Sequence, residues 1–240
     1  MISIKELSKS YNRGEIKAVQ NLSIEVKPGE IFGFLGPNGA GKTTTIKMMI
    51  GLLKPDQGSV SIGGFDIQND PLEVKKRIGF VPDQPEVYEK LTGLEYLDFM
   101  ADTYGVSREK RLERMEELLE KFQMENAVFD LIQSYSHGMR QKIILIGSLL
   151  HDPEVIIMDE PMTGLDPKSS HALKEMMKRK CQEGKIMFFS THVLEVAEKF
   201  CHRVGIINKG KLIALGTLEE LQNQAQKKSS LENIFLELTE

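Results

Sequence analysis

The sequence predicts an α/β fold: a core built on a mostly parallel sheet, with an antiparallel β subdomain and a helical subdomain attached to it. Three observations carry this. Apolar runs short enough for buried strands recur at Val155 to Met158 and Ile186 to Phe189, each followed by a helix-forming stretch, and such alternation implies right-handed crossovers between parallel strands. Near the N-terminus, apolar residues instead alternate at strand period with no helix between them. From about Leu91 to Leu150 the spacing turns helical.

In chain order, Ile2, Ile4 and Leu7, then Leu22, Ile24 and Val26, follow the strand period, and Lys27-Pro28-Gly29-Glu30 is a turn. The next apolar run, Ile31, Phe32, Phe34 and Leu35, breaks at Gly36 into a glycine-rich turn and resumes as helix from Lys42. Within it, Gly36-Pro37-Asn38-Gly39-Ala40-Gly41-Lys42-Thr43 fits G-x-x-x-x-G-K-[ST], the phosphate-binding loop or P-loop, and Thr44-Thr45-Ile46 continues it. The chemistry requires these residue types. Glycines let consecutive backbone N–H groups curl around a phosphate, the helix N-terminus adds positive potential, Lys42 bridges β- and γ-phosphates, and the Thr43 hydroxyl is suited to Mg²⁺. Gly36 to Thr44 are therefore candidate nucleotide contacts, and the core is a P-loop NTPase core.

Beyond that helix, Lys54-Pro55-Asp56-Gln57-Gly58 is a turn and Gly58 to Gly64 a short strand. In the helical region, Leu112, Met115, Leu118, Leu119 and Phe122 are expected on one face, opposite Glu113, Arg114, Glu116, Glu117 and Lys121. Lys168 to Glu183 and Val193 to Phe200 are the helices that follow the later strands, and Ile206 to Ile213 is a hairpin. A polar linker, Gln222 to Ser230, leads into an amphipathic helix with Leu231, Ile234, Phe235 and Leu238 on one face. The expected division is one domain over 1–221, its helical subdomain at about 85–150, and a linker with C-terminal helix over 222–240.

Hydrophobic content of 40% and charged content of 28% are those of a soluble globular chain. No stretch approaches a membrane-spanning length, and MISIKELSKSY lacks the apolar segment of a signal peptide. A net charge of −4 with both signs interspersed leaves no basic footprint, so nucleic acid is not an expected partner. Cys181 and Cys201 have neither CxxC nor zinc spacing and read as reduced thiols.

Val155-Ile156-Ile157-Met158-Asp159 ends an apolar strand on a carboxylate, and Glu160 follows directly. Beside a P-loop these two divide the labour, Asp159 toward Mg²⁺ and Glu160 toward the water that attacks the γ-phosphate. A GTPase would need an N-K-x-D motif; the only Asn-Lys, Asn208-Lys209, runs into Gly210-Lys211 within a hairpin.

With these residues in place, the chain resembles the nucleotide-binding subunit of an ATP-binding cassette (ABC) transporter from Ile2 to about Leu221. Tyr11 fits the aromatic residue that stacks on adenine, and Phe80-Val81-Pro82-Asp83-Gln84 fits the Q-loop. Tyr135-Ser136-His137-Gly138-Met139-Arg140-Gln141 fits the signature, Thr163-Gly164-Leu165-Asp166 the D-loop, and Ser190-Thr191-His192 the switch histidine. Ser136 also sits where an N-cap belongs, ahead of a strongly helical run.

The resemblance implies ATP and Mg²⁺ as cofactors, Glu160 and His192 as catalytic residues, and Asp166 as the D-loop acid. Thr43, Asp159 and either Gln84 or Asp83 would serve the metal. It further implies a head-to-tail pair in which Ser136 and Gly138 act across the interface, whether the second nucleotide-binding subunit is identical or different. The remaining partner would be an integral-membrane permease subunit, with this chain cytoplasmic and peripheral on the inner face of the cell membrane. His137 and Met139 stand where many members carry Gly and Gln, a variant resembling the branch whose permease is a separate polypeptide and which often exports. The rival reading is a soluble ABC-type ATPase acting on ribosomes or DNA, for which a second cassette, a long coiled coil or a basic arm would be expected.

Overall fold

The computed structural model describes residues 1–224 and 230–239. Strands β1 (Ile2–Tyr11) and β2 (Ile16–Val26) form a hairpin, and β3 (Ile31–Leu35) leads through the P-loop into α1 (Lys42–Met49). Next come β4 (Gln57–Ile62), β5 (Phe65–Asp66), α2 (Pro71–Lys75) and β6 (Ile78–Val81). Three longer helices follow, α3 (Gly93–Thr103), α4 (Arg108–Phe122) and α5 (His137–Leu149). The chain then alternates through β7 (Val155–Asp159), α6 (Pro167–Gln182), β8 (Ile186–Thr191) and α7 (Leu194–Phe200). It closes with the hairpin β9 (Arg203–Asn208) and β10 (Lys211–Gly216), then α8 (Leu218–Gln224) and α9 (Leu231–Thr239).

Two sheets result. The order β2-β1-β4-β5 is antiparallel. The order β10-β9-β3-β8-β7-β6 is parallel from β9 to β6, with β10 antiparallel at one edge. The central strands are apolar throughout because both faces are covered. Val155, Ile157, Ile186 and Phe188 point into a core shared with α1 and the antiparallel sheet, where the Phe32 and Phe188 rings stack at 5.5 Å. Ile156, Met158, Met187 and Phe189 point the other way, into a core built with α3, α4, α5 and α6. Registers align Leu35 with Thr191 and Asp159 with Ser190, so the carboxyl ends of β3, β8 and β7 form one row. Ligands of open α/β sheets bind at that edge.

Several sequence expectations need correction. Leu112 is 60% exposed and does not join Met115, Leu118 and Phe122 in the core. Arg114 is not simply solvated, since its guanidinium donates to the Leu150 carbonyl at 2.7 Å. Gln222 to Gln224 belong to α8 rather than to a linker. Thr217 and Glu220 start that helix by reciprocal bonds, Thr217 N–H to the Glu220 carboxylate at 2.7 Å and Glu220 N–H to the Thr217 hydroxyl at 3.1 Å. Linker residues 225–229 and the side chain of Leu238 lie outside the described residues. The C-terminal helix folds back on its own chain: Leu231 and Ile234 are buried with Ala197 of α7 and Leu221 of α8.

Candidate active site

The P-loop joins the end of β3 to α1. Gly41 adopts φ +112°, and a Cβ there would lie 2.3 Å from the Ala18 carbonyl oxygen, so only glycine fits this helix start. Lys42 is buried at the first turn and donates to the Gly36 carbonyl at 2.7 Å. Pro37 to Gly39 and Gly41 to Thr44 of the loop line a cavity of about 320 Å³ together with Asp159 and Glu160, a size suited to a small-molecule site.

Residues from three strand ends converge there. The Thr43 hydroxyl donates to Asp159 Oδ2 at 2.7 Å across 116 residues of sequence. The buried Ser190 hydroxyl donates to Asp159 Oδ1. Glu160 follows β7 with φ 48°, a left-handed conformation that costs a non-glycine residue about 1–3 kcal/mol. Its N–H is held by the Ser190 carbonyl at 3.2 Å and the Ser190 hydroxyl at 3.1 Å. The Glu160 carboxylate then sits 3.6 Å from Lys42 Nζ and 3.0 Å from His192 Nδ1. One acid is thereby aimed at the loop threonine and the other lies between a cation and an imidazole.

Asp83 lines this cavity, and Asp83 and Gln84 both line an adjoining one together with Thr43 and Asp159. Both candidates left open in the sequence thus come to the side of Thr43 and Asp159. Burial, then the nearby charges of Asp159 and Glu160, push the Asp83 carboxyl above its ordinary pKa. Tyr11 ends β1 opposite Ile16 and is 40% exposed, and Ile16, Lys17 and Ala18 line the cavity next to it in the chain.

Ser136 caps α5, accepting the Met139 N–H at 3.3 Å. Gly138 admits the D-loop backbone, because a Cβ would lie 2.7 Å from the Gly164 carbonyl oxygen. Asp166 caps α6 by accepting the Ser169 N–H at 2.9 Å, and Lys142 Nζ lies 2.9 Å from it. Lys142, then Ser169, hold the Asp166 carboxyl well below the usual carboxylate range. Within this one chain, Ser136 and Gly138 are not among the residues lining the P-loop cavity.

Sequence reading missed Ser190 and Lys142. Ser190 left one trace, a polar residue closing the apolar strand Ile186 to Phe189; Lys142 left none. Oxygen donors Thr43 and Asp159 beside a phosphate loop form a hard set, small in number, which fits Mg²⁺. His192 has a clear test. His192→Ala removes one partner of the Glu160 carboxylate but no P-loop group, so phosphate release should fall about tenfold while calorimetric ATP affinity stays at the parent value.

A sequence profile of the family described as ABC transporter matches residues 19–163. The chain is 37% identical over 240 residues to the ABC-type transporter ATP-binding protein EcsA of Bacillus subtilis (strain 168), covering 100% of this chain and 96% of that protein. It is 36% identical over 221 residues to the Nod factor export ATP-binding protein I of Cupriavidus metallidurans, covering 92% of this chain and 72% of that one. A solved ATP-binding subunit of an ABC transporter superposes with a TM-score of 0.96 at 34% identity, covering both chains fully. A dimeric ATP-binding cassette in a post-hydrolysis state, bound to ADP and Pi, superposes with a TM-score of 0.81 at 29% identity, over 91% of this chain and 99% of that one. The profile spans more than half of the sequence and the first relative aligns from end to end, so this chain belongs to the ABC transporter family, as an ATP-binding subunit that hydrolyses ATP.

Proposed function

We propose that this subunit works as one half of an ATP-closed pair, docked on a separate integral-membrane permease at the cytoplasmic face of the membrane, and that the transport it powers is export. The observation that carries the reading is the convergence of Lys42, Glu160 and His192 beside the Thr43–Asp159 bond, at the carboxyl ends of three adjacent strands. Among the described residues no helix is long and apolar enough to cross a membrane, so a transport role requires a membrane partner. The export direction draws support from the relative named for Nod factor export and from the His137 and Met139 signature variant.

The P-loop N–H groups and Lys42 bind the β- and γ-phosphates, and Tyr11 contacts the adenine. Thr43 and Asp159, with Gln84 or Asp83 beside them, would hold Mg²⁺, which when bound neutralises charge on the phosphates. Glu160 accepts the proton of the water that attacks the γ-phosphorus as the bond to the ADP oxygen breaks, and His192 keeps that carboxylate in place. Ser136 and Gly138 at the start of α5 present backbone N–H groups to the γ-phosphate held by the other subunit. The dimeric neighbour with ADP and Pi supports this pairing, and the second subunit is a copy of this chain or a different cassette. In this scheme residues 1–221 are the ATPase domain, and the helical part, about 85–150, passes motion to the permease.

The test is co-purification of the tagged chain from gently solubilised membranes, with its companions identified by mass spectrometry. An integral-membrane protein in stoichiometric amount is the expected result. Recovery with ribosomes or DNA and no membrane protein would overturn the transport reading.

A further inference from the structure

Ser190 carries no role in the scheme above, yet its side chain joins the Asp159 carboxylate to the Glu160 backbone. It is fully buried near the end of β8, in parallel register with Asp159. Its hydroxyl performs two tasks at once. The O–H donates to Asp159 Oδ1, and the oxygen accepts the Glu160 N–H at 3.1 Å. One carboxylate oxygen of Asp159 is thereby fixed, and the other, Oδ2, is left facing the Thr43 hydroxyl at 2.7 Å. Asp159 is itself 3% exposed, so water cannot readily replace a lost donor.

We propose that Ser190 is a positioning residue of the ATPase: it sets the rotation of the Asp159 carboxylate so that Oδ2 faces the metal position beside Thr43, and it braces the left-handed backbone of Glu160. This rests on the reading of Thr43 and Asp159 as the residues that hold Mg²⁺. The physical reason is geometric. A carboxylate with both oxygens free rotates about its terminal torsion, which is soft, whereas one bonded through a buried hydroxyl presents its second oxygen in a fixed direction. Groups that orient a ligand from behind change metal affinity or activity by about 10–100-fold when removed.

The hydroxyl is separable from the fold. In Ser190→Ala the Glu160 N–H keeps the Ser190 carbonyl, 3.2 Å away, as its partner, so the backbone stays bonded and the loss falls on Asp159. The effect should therefore appear in metal binding and spare metal-free nucleotide binding, which the P-loop governs.

The experiment measures Mn²⁺ binding by electron paramagnetic resonance in the presence of ATP. It compares Glu160→Gln protein, where hydrolysis is suppressed, with the same protein carrying Ser190→Ala or Ser190→Thr. ATP affinity in EDTA is measured alongside by calorimetry. Ser190→Ala is expected to bind Mn²⁺ about 10–100-fold more weakly, with unchanged ATP affinity in EDTA, and Ser190→Thr, which restores a hydroxyl, to regain the parent's metal affinity. Equal Mn²⁺ affinity in Ser190→Ala and its parent would overturn the proposal while leaving the metal site intact. A matching loss of metal-free ATP binding would also overturn it, by showing general damage. A parent that binds no Mn²⁺ with ATP would instead remove the metal site itself and the proposal with it.

Discussion

Glu160→Gln should bind ATP and hydrolyse it about 10²–10⁴-fold more slowly than the parent, the range spanned by a positioned general base. The substitution keeps size and planarity and can still accept the His192 N–H that lies 3.4 Å from Oε2. It exchanges a proton acceptor for an amide that does not take the proton of the attacking water. The backbone, held at φ 48° by the Ser190 bonds, is untouched, so folding gives no alternative explanation for lost turnover. Phosphate release under saturating ATP measures the effect, and calorimetry checks that binding persists. Turnover at the parent rate would exclude Glu160 as the base.

Lys42→Ala should lose ATP affinity by about 10–100-fold, the consequence of removing a charged hydrogen bond worth about 1.5–3 kcal/mol. Lys42 is 7% exposed and turned into its own loop, donating to the Gly36 carbonyl at 2.7 Å with Glu160 3.6 Å away. Its ammonium thus stands inside the loop itself, whereas the other lysines that line the cavity, Lys17 and Lys209, come from outside the loop. A thermal melt by circular dichroism separates lost binding from lost fold. Unchanged calorimetric binding in a folded protein would count decisively against the phosphate assignment.

How much of this was legible in the sequence follows from how local each feature is. The P-loop could be read in full because eight consecutive residues carry the backbone turn, the cation and the hydroxyl. Asp159 and Glu160 were legible as the polar end of a short apolar strand, and the parallel core followed from the alternation of such strands with helices. Ser190 escaped because its importance depends on register: it faces Asp159 only through the pairing of β7 with β8, 31 residues apart. Lys142 escaped for a similar reason, since its position on α5 has meaning only once α6 brings Asp166 to it. Spacing could not choose between Asp83 and Gln84, which are adjacent, and the fold brings both to a cavity shared with Thr43 and Asp159. Leu112 was misplaced because helical periodicity assigns a face without saying where the neighbouring helix stops covering it. The start of α8 was overlooked although Thr217 and Glu220 spell a capping box, because the polar residues that follow read as a linker.

The central claim is that the P-loop described here is half of a site, completed by the signature helix of another subunit. The most direct measurement is the mass of Glu160→Gln protein by light scattering with and without ATP. The account predicts 27.1 kDa in the absence of nucleotide and twice that mass once ATP is bound. Protein that binds ATP by calorimetry and remains at 27.1 kDa would contradict it.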